Sequence, residues 1–135
     1  MKYFFLVCHK PLGSSLQQCV EFSIGKSIKE IINIEITPNE NLTEIRNLIE
    51  KAWHECGKPQ EIFVFSDLKG ATPCNGLFSW LREKSIFYRG VTGVNLPMLV
   101  CAINHKNLSL DALLDKVLEA KDKGIQSLNI YKNGI

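Results

Sequence analysis

Residues 61–75, EIFVFSDLKGATPCN, decide the fold class of this chain. Within Glu61–Ser66, four consecutive large apolar residues are typical of a strand that is buried on both faces. A polar loop containing glycine follows, and Thr72 before Pro73 predicts a helix start, with threonine as the N-cap and proline at the first helical position. A buried strand that leads directly into a helix is the repeating unit of an α/β sheet.

The rest of the chain continues this alternation of strands and helices. Short apolar runs predict further strands, and apolar residues at helical spacing predict the helices between them. The order β-α-β-α-β-α-β-α-α-β predicts an α/β fold, with a mainly parallel open sheet and helices on both faces. The predicted strands are Tyr3–Cys8, Ile31–Ile36, Glu61–Ser66, Val91–Val94 and Ser127–Tyr131. The predicted helices occupy much of Ser14–Gly25, Leu42 to Trp53 with Asn41 or Thr43 as the cap, Pro73 towards Lys84, a segment from Pro97, and Leu110 to Gly124.

Length and composition indicate one globular domain over residues 1–135, with 45% apolar and 22% charged residues. The net charge is only +2 and the basic residues are scattered, so we expect no nucleic-acid partner. The apolar run at Tyr3–Cys8 is too short for a secretory signal, and no stretch approaches the ~20 residues of a membrane span. Five cysteines without C-x-x-C spacing favour free thiols in a reducing compartment. We therefore expect a cytoplasmic protein.

Chemistry in such a fold is expected beyond the carboxyl ends of the strands. The first predicted strand ends at His9, the third ends before Asp67, and the fourth ends before Asn95, so an imidazole, a carboxylate and an amide should share one rim. A single histidine after a strand is usually an ordinary surface residue. Asp67 favours a functional interpretation, because a carboxylate bound to one ring nitrogen leaves the other free to attack as a nucleophile.

The loop through Gly70, Ala71 and Thr72 predicts an anion site. A glycine-bearing loop that enters a helix presents free backbone N–H groups and a partial positive charge, although many helices begin this way and bind nothing. Nucleotide-binding glycine motifs and the G-x-S-x-G nucleophile motif are absent from the sequence. His54 and His105 lack metal-ligand spacing, so we expect no metal site.

Three pieces of sequence together resemble the mannose/fructose-type EIIA family of the phosphoenolpyruvate:sugar phosphotransferase system. They are His9, the segment FVFSDLKGATPCN at Phe63–Asn75, and the segment GVNLPML at Gly93–Leu99. The resemblance runs over nearly the whole chain. It implies an α/β fold and a phosphocarrier that needs neither a cofactor nor a metal.

The resemblance also assigns roles to single residues. His9 matches the phosphorylated histidine, Asp67 the acidic residue that orients it, and Thr72 a hydroxyl residue that lines the site, while Asn95 lies in the loop beside it. It implies phospho-HPr as the donor, a IIB component as the acceptor, and membrane contact only through permease partners. Members are commonly homodimers that exchange a C-terminal strand, a part that residues 127–131 could play.

One segment departs from the common pattern of the family. Many members follow the active histidine with glycine and an aromatic residue, whereas here Lys10-Pro11-Leu12-Gly13 follows it. This form resembles proteobacterial members of shortened relays without obvious sugar permeases, so a regulatory sensor of phosphorylation state is the alternative to transport. A small-ligand-binding domain without covalent chemistry is a further rival. Lys10 adds positive charge near the phosphoryl position, or is simply a solvated lysine at a turn.

Overall fold

The structure, a computed structural model, describes residues 1–128. Strands and helices alternate along this part of the chain until two helices close it, as the sequence pattern predicts. The elements are β1 (Tyr3–His9), α1 (Leu12–Ile24), β2 (Ile31–Ile36), α2 (Leu42–Glu55), β3 (Glu61–Ser66), α3 (Thr72–Arg82), β4 (Phe87–Val91), α4 (Leu96–Asn104) and α5 (Leu110–Gly124).

The four strands form one parallel sheet in the order β2-β1-β3-β4. The register pairs His9 with Ile36 on one side of β1, and Val7 with Ser66 on the other. Because all strands run in one direction, their carboxyl ends share one edge of the sheet. The α/β prediction is therefore confirmed, and the residues that follow β1 and β3 are neighbours in space.

Helices cover both faces of the sheet, as predicted. Side chains of β1 alternate between the two faces, and all five from Phe4 to Cys8 are fully buried. Phe4, Leu6 and Cys8 pack in a core with residues of α1, α4 and α5. Phe5 and Val7 pack in a second core with residues of α2 and α3. Each large apolar side chain buried in this way stabilises the fold by about 1.5–3 kcal/mol.

The N-cap of α2 is Asn41, one of the two residues that the sequence predicts for this position. Its side-chain oxygen accepts the Glu44 N–H at 2.8 Å, and the Glu44 carboxylate accepts the Asn41 N–H at 3.0 Å. This reciprocal pair is a capping box, and it satisfies two backbone donors that would otherwise lack partners.

The prediction of a strand at Val91–Val94 is wrong, because β4 lies earlier, at Phe87–Val91. Gly90 has no side chain, so it interrupts the apolar run by which the sequence would mark this strand. A Cβ there would lie 2.3 Å from the Val64 carbonyl oxygen, so only glycine allows the strands to approach. Beyond Val91 the chain bends at Gly93, which has a φ of 69°, and cannot remain extended.

Two expectations concern the ends of elements. Thr72 is not the N-cap of α3. Ala71 occupies that position with extended backbone, and Thr72 and Pro73 are the first helical residues. The predicted terminal strand at 127–131 lies outside the described residues except for Ser127 and Leu128, neither of which is in a strand.

Among residues 1–128, no helix has both the length and the apolar character needed to cross a bilayer.

Candidate functional site at the carboxyl edge of the sheet

The structure brings His9 and Asp67 into direct contact across 58 positions of sequence. The ring nitrogen Nδ1 of His9 lies 2.7 Å from Oδ2 of Asp67. His9 is the last residue of β1, and Asp67 directly follows β3, the neighbouring parallel strand. Strand pairing therefore creates this contact, as the rule for carboxyl edges predicts.

The Asp67 carboxylate is buried and held by further hydrogen bonds. Its side chain is only 8% exposed. Oδ2 also accepts the backbone N–H of His9 at 3.0 Å, and Oδ1 accepts the N–H of Leu68 at 3.0 Å. Burial by itself raises the Asp67 pKa, but hydrogen bonds from the side chain and backbone of His9 outweigh it, so the net pKa is lowered. The group is therefore ionised at neutral pH and acts as a fixed acceptor.

A fixed acceptor determines which nitrogen of the His9 ring carries the proton. An ionised carboxylate only accepts hydrogen bonds, so Nδ1 must be the N–H donor. In the neutral ring the lone pair then resides on Nε2. The His9 side chain is 48% exposed, and Nε2 has no hydrogen-bond partner within the described residues. The arrangement leaves the lone pair of Nε2 accessible to a reaction partner, which is what a nucleophilic histidine requires.

The loop from Gly70 to Thr72 supplies backbone donors next to Asp67. Gly70 adopts a φ of 85°, which turns the chain into α3. No hydrogen bond within residues 1–128 uses the N–H of Gly70 or Thr72, and both residues are exposed. The N–H of Ala71 is different, because it donates to the Leu68 carbonyl at 3.2 Å. The structure thus leaves two of the three predicted donors free, while Ala71 is already occupied.

The predicted site residues Asn95 and Lys10 have other partners. Asn95 caps α4, and its side-chain oxygen accepts the Met98 N–H at 3.0 Å. No hydrogen bond among the described residues joins Asn95 to His9 or Asp67. Lys10 is exposed, and its backbone N–H donates to the Ile36 carbonyl at 3.0 Å. Within residues 1–128, neither side chain is hydrogen-bonded to His9 or Asp67, and the role that the structure shows for Asn95 is to start α4.

Sequence reasoning missed a polar cluster beside His9, at the end of β2. Oε2 of Glu35 accepts the Ser14 N–H at 3.1 Å, and Oε1 accepts the Ser14 hydroxyl. The Asn33 amide donates to the same hydroxyl at 3.2 Å. A signal was present in the sequence, because Asn33 and Glu35 occupy alternate positions of the apolar strand IINIEI and so share one face.

Cys8, which precedes His9, is no competing nucleophile. Its side chain is fully buried in the core, on the face of β1 opposite to that of the His9 side chain. Burial, with smaller contributions from the charges of Asp67 and Glu35, raises the pKa of the Cys8 thiol to about 12. No three His, Cys, Asp or Glu residues within 1–128 are grouped so as to hold a metal ion.

Comparison with known proteins gives consistent matches. The family model described as the PTS system fructose IIA component matches residues 3–118, where PTS denotes the phosphotransferase system. A PTS sorbose-specific EIIA component from Lacticaseibacillus casei is 29% identical over 125 residues, which is 92% of this chain and 88% of that protein.

Solved structures share the fold. A phosphotransferase component EIIA from Streptococcus agalactiae superposes with a TM-score of 0.82 at 22% identity, over 94% of this chain and 97% of the other. A mannose/sorbose-specific IIA subunit from Enterococcus faecalis gives a TM-score of 0.81 at 19% identity, over 98% of both chains.

Proposed function

Because this chain belongs to the family of phosphotransferase-system fructose IIA components, we propose that His9 carries a phosphoryl group between two relay proteins. The observation that supports this proposal is the contact of 2.7 Å between His9 Nδ1 and Asp67 Oδ2. It fixes the tautomer and leaves Nε2 available for attack.

The transfer is an in-line displacement at phosphorus between two imidazoles. The Nε2 lone pair of His9 forms the new N–P bond, while the N–P bond of a phosphohistidine on the donor breaks and its electron pair returns to the donor ring. If the donor ring starts as an imidazolium, it leaves neutral, and the positive charge passes to the His9 ring. Asp67, ionised and buried against Nδ1–H, stabilises that charge.

The phosphoryl oxygens need donors as negative charge spreads over them in the transition state. The free N–H groups of Gly70 and Thr72 lie on the loop that enters α3 beside Asp67. They provide positive potential at the start of a helix whose first turn carries no acidic residue. The Thr72 hydroxyl is a further donor in this proposal, and no metal ion takes part.

The relay supplies the partners of this reaction. Phospho-HPr is the proposed donor and a IIB component the proposed acceptor. Both would reach the exposed ring of His9 from the cytoplasm, and the membrane is involved only through permease partners.

A labelling experiment tests the proposal. The wild-type chain is incubated with phosphoenolpyruvate, enzyme I and HPr, and we expect one acid-labile phosphoryl group per chain. His9→Ala should take up none. His54→Ala is the matched control, because that histidine is also 48% exposed and also bonded to a carboxylate, Glu50. Label that persists in His9→Ala, or that disappears only in His54→Ala, would show that the site is misassigned.

We further propose that two chains associate at the free edge of β4. Within the described residues β4 pairs only with β3, and an open, mainly apolar groove of about 520 Å³ lies beside it. Phe78 and Leu118 line this groove and remain about 40% exposed. An unpaired edge next to an apolar groove is suited to accept an added strand. The C-terminal segment of a second copy is the proposed occupant.

Light scattering after size-exclusion chromatography checks the association. We expect twice the mass of one chain for the wild type, and a shift towards one chain for Leu118→Asp, because a carboxylate would be buried in the interface. Phe22→Asp is a control on α1, where the side chain is 88% exposed and lies outside the groove. A wild-type protein with the mass of one chain at micromolar concentration would contradict the proposal.

A further inference from the structure

Two helices, α1 and α3, begin beside His9, and their N-termini differ in how they are capped. The N-terminus of α3 has no side-chain cap and no acidic residue in its first turn. The N-terminus of α1 has no cap from its own sequence either, since Pro11 occupies the N-cap position. It is capped instead by Glu35, a carboxylate that projects from the neighbouring strand β2.

Close packing makes this arrangement possible. A Cβ on Gly13 would lie 2.1 Å from the Asn33 side-chain oxygen and 3.2 Å from Cγ of Glu35. Any larger residue at this position would therefore push the start of α1 away from β2. Gly13 lets the helix approach, and Ser14, the next residue, uses both its N–H and its hydroxyl to bind the Glu35 carboxylate.

The end of β2 thereby holds the chain on both sides of the Lys10–Pro11 bond. On one side, His9 pairs with Ile36 in the sheet, and the Lys10 N–H donates to the Ile36 carbonyl. On the other side, Glu35 binds Ser14 at the start of α1. The segment that carries the phosphoryl-accepting ring is thus fixed by two consecutive residues of one strand.

The charge of Glu35 has a second consequence. A carboxylate at a helix N-terminus offsets the partial positive charge there, and that end then attracts other anions less strongly. Burial by itself raises the pKa of Glu35, but hydrogen bonds from Ser14 and Asn33, together with the nearby charge of Lys10, outweigh it, so the net pKa is lowered. Glu35 therefore offsets two sources of positive potential next to His9.

We propose that Glu35 is a positioning residue for phosphoryl transfer. Its carboxylate clamps the start of α1 to β2 beside His9, and its charge leaves the N-terminus of α3 rather than that of α1 to receive the phosphoryl oxygens. This inference rests on the proposed function of His9. It adds a residue that touches neither the ring nor the phosphoryl group, and it explains why Gly13 and Ser14 follow the histidine so closely.

Three substitutions at Glu35 distinguish the effect of its hydrogen bonds, which hold the start of α1 against β2, from the effect of its negative charge. Glu35→Ala removes both, and misplacement of His9 should lower kcat/KM for phospho-HPr, by up to about 10²-fold. Glu35→Gln keeps an oxygen that accepts the Ser14 N–H, so the rate should largely recover. Because the negative charge is gone, the equilibrium with phospho-HPr should shift towards the phosphorylated chain by roughly tenfold. Glu35→Asp keeps the charge on a shorter arm, so the rate should fall without that shift.

Glu30→Gln is the matched control. Glu30 is also partly buried and hydrogen-bonded, in an ion pair of 2.6 Å with Lys106, but it precedes β2 and so lies at the opposite edge of the sheet. We expect it to alter stability without altering the phosphorylation rate or equilibrium. A purely structural role for Glu35 would make Glu35→Gln behave in the same way.

The outcomes separate this inference from the proposed function. If wild type and Glu30→Gln are both labelled, but Glu35→Gln matches them in equilibrium and Glu35→Asp matches them in rate, the positioning role is refuted and the function of His9 stands. If wild type itself takes up no phosphoryl group from phospho-HPr, the proposed function fails first. Because Glu35→Gln preserves the acceptor for Ser14, the test does not depend on Glu35→Ala remaining folded.

Discussion

Two histidines of this chain are bonded to carboxylates, at opposite ends of the molecule. His9 contacts Asp67 at 2.7 Å, and His54 contacts Glu50 at 2.9 Å, with both histidine side chains 48% exposed. The second pair lies four residues apart on the last turns of α2. A short distance to a carboxylate therefore does not distinguish a candidate catalytic histidine from an ordinary surface ion pair.

The surroundings of the two carboxylates make the distinction. Asp67 is 8% exposed and, within residues 1–128, bonds only His9 and the following backbone N–H, so it is dedicated to one ring. Glu50 is 36% exposed and is shared with the Lys84 ammonium at 2.6 Å and the Trp80 indole N–H at 2.8 Å. Through the Trp80 indole, Glu50 joins α2 to α3, which is a structural task.

The free nitrogens of the two rings differ as well. His9 uses Nδ1 for its carboxylate, which leaves Nε2 at the outer end of the ring. His54 uses Nε2, which leaves Nδ1, the nitrogen closest to its own backbone and so less accessible to a partner protein. The geometry of the ring, together with the open N-terminus of α3 near His9, favours only the first pair for phosphoryl transfer.

The largest expected contrast is in the rate of phosphorylation. Asp67→Asn should lower it by on the order of 10²-fold, because an amide can still bond the ring but cannot stabilise its positive charge. Glu50→Gln should leave the rate unchanged. Rapid-quench labelling with phospho-HPr measures both. Equal rates for wild type and Asp67→Asn would remove the difference in role between the two carboxylates.

A smaller contrast is expected in stability towards acid. Burial raises the pKa of Glu50, but hydrogen bonds from Lys84, Trp80 and His54 outweigh it and lower the pKa to about 2. A lowered folded pKa contributes stability above the unfolded pKa of about 4.5, and this contribution is lost as the pH falls towards 2. Because Glu50 is a third exposed, solvent screening keeps the effect small.

Urea unfolding checks the acid effect. The midpoint of the wild type should exceed that of Glu50→Gln at about pH 6, and the gap should narrow at about pH 3. Asp67 also has a lowered pKa, so the difference in midpoint between the wild type and Asp67→Asn should likewise become smaller in acid. A gap for Glu50→Gln that widens in acid would show that the ion pairs do not stabilise the charged form.

The smallest expected difference between His9 and His54 is the position of the proton on each neutral ring, which alters neither a rate nor the stability. In the neutral rings, we expect the Nδ1–H tautomer for His9 and the Nε2–H tautomer for His54, since each carboxylate accepts a hydrogen bond from the N–H of the nitrogen that it contacts. Long-range ¹H–¹⁵N correlation spectra at alkaline pH distinguish the tautomers. An Nε2–H tautomer at His9 would contradict the role of Asp67 as the fixed acceptor.

Sequence alone located most of the elements correctly. Continuous apolar runs marked β1 and β3, because strands buried on both faces have no polar side to interrupt them. The run that marked β2 is also mainly apolar, although Asn33 and Glu35 interrupt it. It failed at β4, where burial is partial and Gly90 replaces a side chain. It also misplaced the start of α3 by one residue, because the threonine hydroxyl that should cap the helix makes no such bond.

The sequence determined that His9 and Asp67 would lie at the carboxyl ends of parallel strands, on one rim of the sheet, because apolar patterning fixes which segments become strands. Only the tertiary structure placed β1 next to β3. Only the tertiary structure decided that Glu35, rather than a residue near Pro11, would cap α1. Local patterns encode caps within a few positions of a helix start, whereas this carboxylate arrives from 21 residues away through strand pairing. Such a contact depends on register and on the small size of Gly13, which no single segment reveals.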